Sequence, residues 1–328
     1  MRPPALARPA ARFTGVIDTL SAGYGVINRH PWLLLLPIGL DLFLWRGPQL
    51  SAGRLVGRMI GQALVPGPGG APLRIMGQAQ ARDLVDAVEG FNLLSALVPA
   101  VVGLPSFAAT LGVRDPLRSV QIDSWTLALA IVIGAVLGGM LVGSLYDVLL
   151  AQEVRDGRVS VPRLPGQAVR SWVRLLLYVA LLGGLAVLFG LPLGALAAGA
   201  ALASPVLGSL VLWPVTLGSL WVGLYLFFVP NAIVLSQVGP LQAIRNSVAV
   251  VRLSLWPSVA VAGLITVVLL GMGQVWDLAA RRLADPWGVV VGVLGNAYIA
   301  SGLIAATMLF YQERIEFLRP AGQAASEE

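Results

Sequence analysis

Few residues in this chain are equipped for chemistry. It contains no Cys, which excludes thiolate nucleophiles, disulfides, zinc ribbons and iron–sulfur clusters. The single His, His30, directly precedes Pro31. It leaves no His-rich metal site, and as a side chain beside a helix break it reads as interfacial. Phosphate-cradling glycine loops, nucleophile elbows and paired catalytic acids are absent as motifs. No catalytic residue, metal site or cofactor is therefore expected, and the chain reads as a protein that is not an enzyme. What remains are isolated polar groups inside apolar stretches: Asp41, Asp147, the amides Asn231 and Asn296, and the hydroxyls Thr216 and Ser301.

Those groups matter because of where they sit. The chain is 57% hydrophobic and 12% charged, with a mean hydropathy of +0.82, whereas soluble domains carry roughly 25% charged residues. A soluble fold could not hide that much apolar surface. A hydrocarbon core of about 30 Å needs roughly 20 apolar residues in a helix. Five stretches qualify plainly: Trp125 to Leu150, Trp172 to Ala200, Val206 to Gln237, Leu255 to Trp276 and Trp287 to Tyr311. A sixth, Trp32 to Trp45, is short and carries Asp41, with Ala22 to Asn28 ahead of it to extend the buried length. The expected fold is an all-α polytopic bundle of about six spans with interfacial amphipathic helices, forming a single integral membrane domain over 1–328.

Tryptophans mark the limits, since indole rings prefer the head-group level. Trp32, Trp45, Trp125, Trp172, Trp256, Trp276 and Trp287 all fall near proposed helix ends. Every one of the 22 basic residues is Arg, and their placement orients the chain. Arg2, Arg8, Arg12 and Arg29, then Arg155, Arg158, Arg163, Arg170 and Arg174, then Arg245 and Arg252, and finally Arg314 and Arg319 all fall on one side. On the opposite side the third-to-fourth connection has no charge and the fifth-to-sixth has only Arg281 and Arg282, balanced by Asp277 and Asp285. Both ends of the chain are thus expected in the cytoplasm, in the cytoplasmic membrane of a bacterium. With no basic cluster interleaved with aromatics, the Arg excess implies anionic head groups and not nucleic acid.

The first connection, 47–124, reads as an external helical excursion. Within it Val56, Met59, Ile60 and Ala63 make one apolar stripe, and Leu84, Val88 and Phe91 another. Asp83, Asp86 and Glu89 read as a solvated helix face. The uncharged 91–113 would nearly span a bilayer, but it is broken by Pro99, Gly103 and Pro105 and reads as a re-entrant or interfacial segment. Elsewhere, Pro165-Gly166-Gln167-Ala168-Val169-Arg170 recurs as Pro240-Leu241-Gln242-Ala243-Ile244-Arg245. Each copy precedes an apolar run, suggesting an elbow helix on the head groups with Arg170 and Arg245 contacting lipid phosphates. A looser copy, Thr14 to Asn28, gives three units of an elbow and two spans.

The polar groups then admit distinct roles. Asp41 lies roughly 6 to 8 Å of helix rise from the outer interface, where it either snorkels to Arg46 or another external Arg, or forms a proton or cation site. Asn231, Asn296 and Thr216 either bond between helices or, with Asp41, line a polar path near Pro230. Pro192 and Pro214 are expected to kink their spans. Asp147, Glu153 and Arg170 would have to converge for a lipid-modifying enzyme.

Tyr225 to Val259, with Pro230, Asn231, Ile233 and Val234, then Gly239, Leu241 to Arg245, Ser247 and Trp256, resembles the six-helix membrane domain attached to some glycerophosphodiester phosphodiesterases and related bacterial proteins. In that family the membrane domain is distinct from the catalytic barrel, so the resemblance implies membrane topology without phosphodiesterase activity. The first expectation for function is a non-catalytic scaffold, anchor or accessory domain for a membrane or cytoplasmic protein partner. A permease or channel for a small solute or lipid is the second, and a lipid-modifying enzyme the third.

Overall fold

The computed structural model describes residues 13–55, 57–58, 91–98, 104–111, 119–284 and 286–318. Among them the chain is all-α apart from a two-residue parallel ladder, β1 (Leu50–Ser51) with β2 (Val120–Gln121). The helices are α1 (Val16–Arg29), α2 (Leu35–Arg46), α3 (Trp125–Asp156), α4 (Leu164–Leu185), α5 (Leu191–Ala203), α6 (Pro205–Leu226), α7 (Val229–Leu235), α8 (Pro240–Leu253), α9 (Leu255–Arg282) and α10 (Trp287–Leu318). Five helical runs are long and apolar enough to cross a membrane: α3, α4 with α5, α6 with α7, α9 and α10. The sixth stretch is a 3₁₀ turn over Pro31–Leu34 followed by the 12-residue α2. Their combined rise of about 26 Å falls short of a 30 Å hydrocarbon core.

The breaks in these helices have identifiable causes. Between α4 and α5 a π-helical turn covers Ala186–Gly190, just before Pro192, which has no N–H and whose ring opposes the carbonyl four residues back. α6 runs through Pro214 without a break. It stops before Pro230, and Phe228 leaves the helical region at φ −92°, ψ 4°. Ser247 of α8 fills that break: its Oγ donates to the Tyr225 carbonyl at 2.6 Å and accepts from the Phe228 N–H at 3.2 Å. The motif shared by Pro230 and Ser247 is thus a helix break and its plug.

α1 and α8 are both 14-residue amphipathic helices. Each ends on a residue of similar backbone conformation, His30 at φ −130°, ψ 63° and Ser254 at φ −141°, ψ 61°. The middle elbow differs, because α4 continues from Pro165 into its span with no break.

Burial divides the molecule into two zones. Large exposed apolar side chains run along α3 from Trp125 to Val142, along α6 from Val206 to Val222, along α9 from Trp256 to Leu278 and along α10 from Trp287 to Tyr298. On α3 this belt rises about 27 Å, the thickness of a hydrocarbon core. Beyond it, toward the arginine-rich end, α3 and α10 become buried. There α1, the last turns of α3, the first turns of α4, α7, α8 and the second half of α10 enclose Tyr146, Leu150, Phe228, Ile233, Val250 and Phe310, all essentially inaccessible. Elbow helices and span ends therefore interlock into one compact core at the inner edge of the belt. Within the belt, the α5–α6 hairpin packs mainly on itself, Ala201 meeting Gly208, and the most apolar window of α6 is entirely unburied.

The described parts of the 91–113 segment are 3₁₀ turns, Leu93–Leu97 and Ala108–Thr110. The Leu97 backbone presses against Gly139, about 21 Å of helix rise from Trp125, so non-helical backbone reaches deep into the belt while covered by protein. The expected stripes at Val56, Met59, Ile60 and Ala63 and at Leu84 and Val88, and the acidic residues Asp83, Asp86 and Glu89, lie outside the described residues.

Candidate functional site

The four polar residues expected to line a path are dispersed. Asp41, wholly buried on α2, does not pair with Arg46, whose guanidinium lies 4.4 Å from the Trp45 ring centroid. Its carboxylate instead accepts from the Ser106 hydroxyl, the Phe107 N–H (3.1 Å) and the Ala108 N–H (3.0 Å). It therefore caps the 3₁₀ turn of the dipping segment, and Phe107 packs beside Val289 and Val293 of α10. Thr216 is exposed on the hairpin and donates to Leu212 O of its own helix at 3.0 Å. Asn231 sits in α7, in the compact core and not at mid-belt, and Asn296 is half-buried on α10. Neither amide makes an inter-helix hydrogen bond among the described residues.

Other residues carry the bonds between helices. Tyr146 donates to Ser301 Oγ at 2.5 Å. Gln237, at φ 49°, donates to Ser171 Oγ at 2.9 Å and Val234 O at 2.8 Å. Ser236 lies 3.1 Å from the Tyr311 hydroxyl, and Asn246 donates to that hydroxyl at 3.3 Å. His30 does more than sit at a break: its Nε2 is 3.2 Å from the buried carboxylate of Glu153 on α3. Arg314 is not an exposed topological charge but lies 1% exposed. It donates to Ser254 Oγ at 2.9 Å and Phe310 O at 3.2 Å, and its guanidinium stacks 3.3 Å from the Phe310 ring centroid. These partners sit at span ends, where Ser, Gln, Asn and Tyr are ordinary interfacial residues, so only tertiary contact distinguishes them.

Phe228 stacks on Phe310 with ring centroids 5.2 Å apart, Phe227 meets Phe228 edge-on at 5.0 Å, and the surrounding aliphatic side chains close the space. Three cavities bordered by described residues lie outside this core, at the arginine-rich end. A groove of about 1120 Å³ is walled by Arg155, Arg158 and Arg163 beside Ser160 and Pro162. A 130 Å³ cleft continues past Arg155 to Ser236, Tyr311 and Gln312. A third hollow of 440 Å³ extends from Ser236 and Ile315 to Gln242, Asn246 and Leu318. The three hollows are neighbours, with Arg155 common to the walls of the first two and Ser236 and Ile315 to those of the last two; the first is basic and the third is lined by both amide and apolar side chains. Arg155 is held in place by a two-point contact with Asp156, 2.8 Å each, and a 3.4 Å bond to Leu235 O.

Arg170 and Arg245 are both exposed on their helices, and Arg170 Nε donates to Gly166 O at 3.1 Å. No hydrogen bond or ion pair joins Asp147, Glu153 and Arg170 among the described residues. No group of three or more His, Asp or Glu side chains able to hold a metal occurs among the described residues.

The fold and its polar end define an all-α helical bundle in which, among the described residues, five long helical runs have the length and apolarity to cross a membrane, joined to a compact apolar core at the arginine-rich end. The chain belongs to the family described as Domain of unknown function (DUF7847), which matches residues 87–312. No curated protein and no solved structure matches it.

Proposed function

We propose that this protein is a non-catalytic integral membrane scaffold, in the cytoplasmic membrane of a bacterium, that presents its arginine-rich end to a cytoplasmic or membrane partner. The observation that carries this reading is the sealed core: Phe228, Phe310, Tyr311, Tyr146 and Ile233 fill the arginine-rich half at essentially zero exposure. A permeation path would have to cross that packing. Native interiors pack to crystal-like density, so opening one would mean displacing the Phe228–Phe310 stack. The three hollows fit the same reading, since they offer charged, amide and apolar walls on the face that, in this reading, the Arg excess orients toward the cytoplasm. The resemblance of Tyr225 to Val259 to membrane domains that accompany catalytic barrels fits an accessory role.

The absence of native Cys makes a direct test simple. Single cysteines at Asn231, Ala232 and Ala305 are to be treated with a membrane-impermeant thiosulfonate in proteoliposomes and in opened membranes, with Cys at Ser160, half-buried in the groove wall, as the accessible control. The scaffold reading expects modification only at 160. Fast modification at 231 and 305 would reject it in favour of a water-filled path.

A further inference from the structure

One face of α4 combines two features that its span does not need. Arg170 and Arg174 lie one turn apart, and neither has a carboxylate partner among the described residues. Arg174 is half-buried, and its Nη1 is buried with no acceptor. A buried, unbonded guanidinium N–H is costly, and charged donors are paired almost without exception in native interiors. Directly above, continuing the three- and four-residue spacing of that face, come Leu177, Leu181 and Leu185, with Leu188 following in the π-helical turn. They are 56%, 36%, 43% and 63% exposed. The cations lie at the inner edge of the apolar belt, level with the buried first turns of α4, and the leucines climb into it.

We propose that this face is a binding site for an anionic phospholipid, its phosphate on Arg170 and Arg174 and one acyl chain along Leu177, Leu181, Leu185 and Leu188. With Nη1 itself shut off from the surface, a phosphate would engage the remaining donors of the Arg174 guanidinium and those of the exposed Arg170, a planar fork that suits phosphate oxygens geometrically. The leucine stripe supplies what a soluble phosphate could not use. The proposal deepens the scaffold reading by naming a lipid for its inner leaflet and rests on that reading's membrane orientation. It does not depend on whether the core is sealed, so the two tests fail separately.

The test uses the full chain, delipidated in mild detergent and titrated with phosphatidylglycerol or phosphatidylcholine of matched chains, adducts being counted by native mass spectrometry. Two unscreened arginines at a head group correspond to about a tenfold or greater preference for phosphatidylglycerol. Arg174→Gln, with Arg170 still in place, should cut that preference to about threefold, Arg174→Lys should restore part of it, and Arg158→Gln, in the loop before α4, should leave it intact. Inorganic phosphate at the same concentration should not displace the lipid. Equal binding of both lipids by the native chain would overturn the proposal, as would an unchanged preference in Arg174→Gln. An equal loss in Arg158→Gln would reduce the effect to diffuse surface charge, and displacement by inorganic phosphate would reduce it to an anion site without lipid specificity.

Discussion

Ser247→Ala removes one oxygen from the place where α6 gives way to α7, and the structure sets what that should cost. The hydroxyl is wholly buried and serves two backbone groups that Pro230 and the break leave without helical partners, the Tyr225 carbonyl and the Phe228 N–H. An inter-helix hydrogen bond in a membrane protein averages about 0.6 kcal/mol and reaches about 1.7, while a buried group left unpaired costs about 1–3 kcal/mol. Two bonds lost at one site, with partial relaxation, give an expected destabilisation of about 1–3 kcal/mol. The reference is Thr216→Ala, which removes an exposed hydroxyl bonded only within its own turn and should change stability by less than about 0.5 kcal/mol. Both would be measured by titrating the protein from mild detergent into sodium dodecyl sulfate, with unfolding followed by tryptophan fluorescence. If the two variants unfold at the same dodecyl sulfate fraction, Ser247 is not the plug and the account of the break at Pro230 is wrong.

Two further substitutions test the dipping segment. In Gly139→Ala the new methyl would collide with the Leu97 backbone, so destabilisation of about 1–3 kcal/mol is expected in the same titration. Gly183→Ala meets open space and should stabilise its helix by up to about 1 kcal/mol; matching signs would contradict the packing described. Asp41→Asn keeps the shape of the cap but sets an amide donor against a backbone N–H, since Oδ1 serves Ser106 and Ala108 while Oδ2 serves Phe107. Hydrogen exchange at Phe107 and Ala108 should accelerate by about tenfold or more, the equivalent of losing one charge-assisted bond. Unchanged exchange there would show that Asp41 does not hold the turn.

Much of this architecture was legible in the residues because membrane crossing imposes simple periodic demands. Apolar runs near 20 residues, tryptophans at their ends and arginines between them placed the five long helices, since length and charge are local properties. The elbow pattern at Pro165 and Pro240 likewise marked helix starts, though only the second is followed by a break. The division into an exposed belt and a compact core at the arginine-rich end was not legible. Apolar composition looks the same whether a side chain meets lipid or protein, so Leu141 and Leu150 on one helix cannot be told apart until neighbours are in place. The same holds for the polar groups. Asp41, Arg314 and Ser247 owe their partners to residues on other elements, 65, 60 and 19–22 positions away. By itself the sequence located the five long helical runs, while the sixth span counted over Trp32 to Trp45 is a 3₁₀ turn and the short α2. Tertiary structure alone decided which polar atoms are satisfied and which, like Nη1 of Arg174, still lack an acceptor, because hydrogen-bond pairing is a property of assembled surfaces and not of chain order.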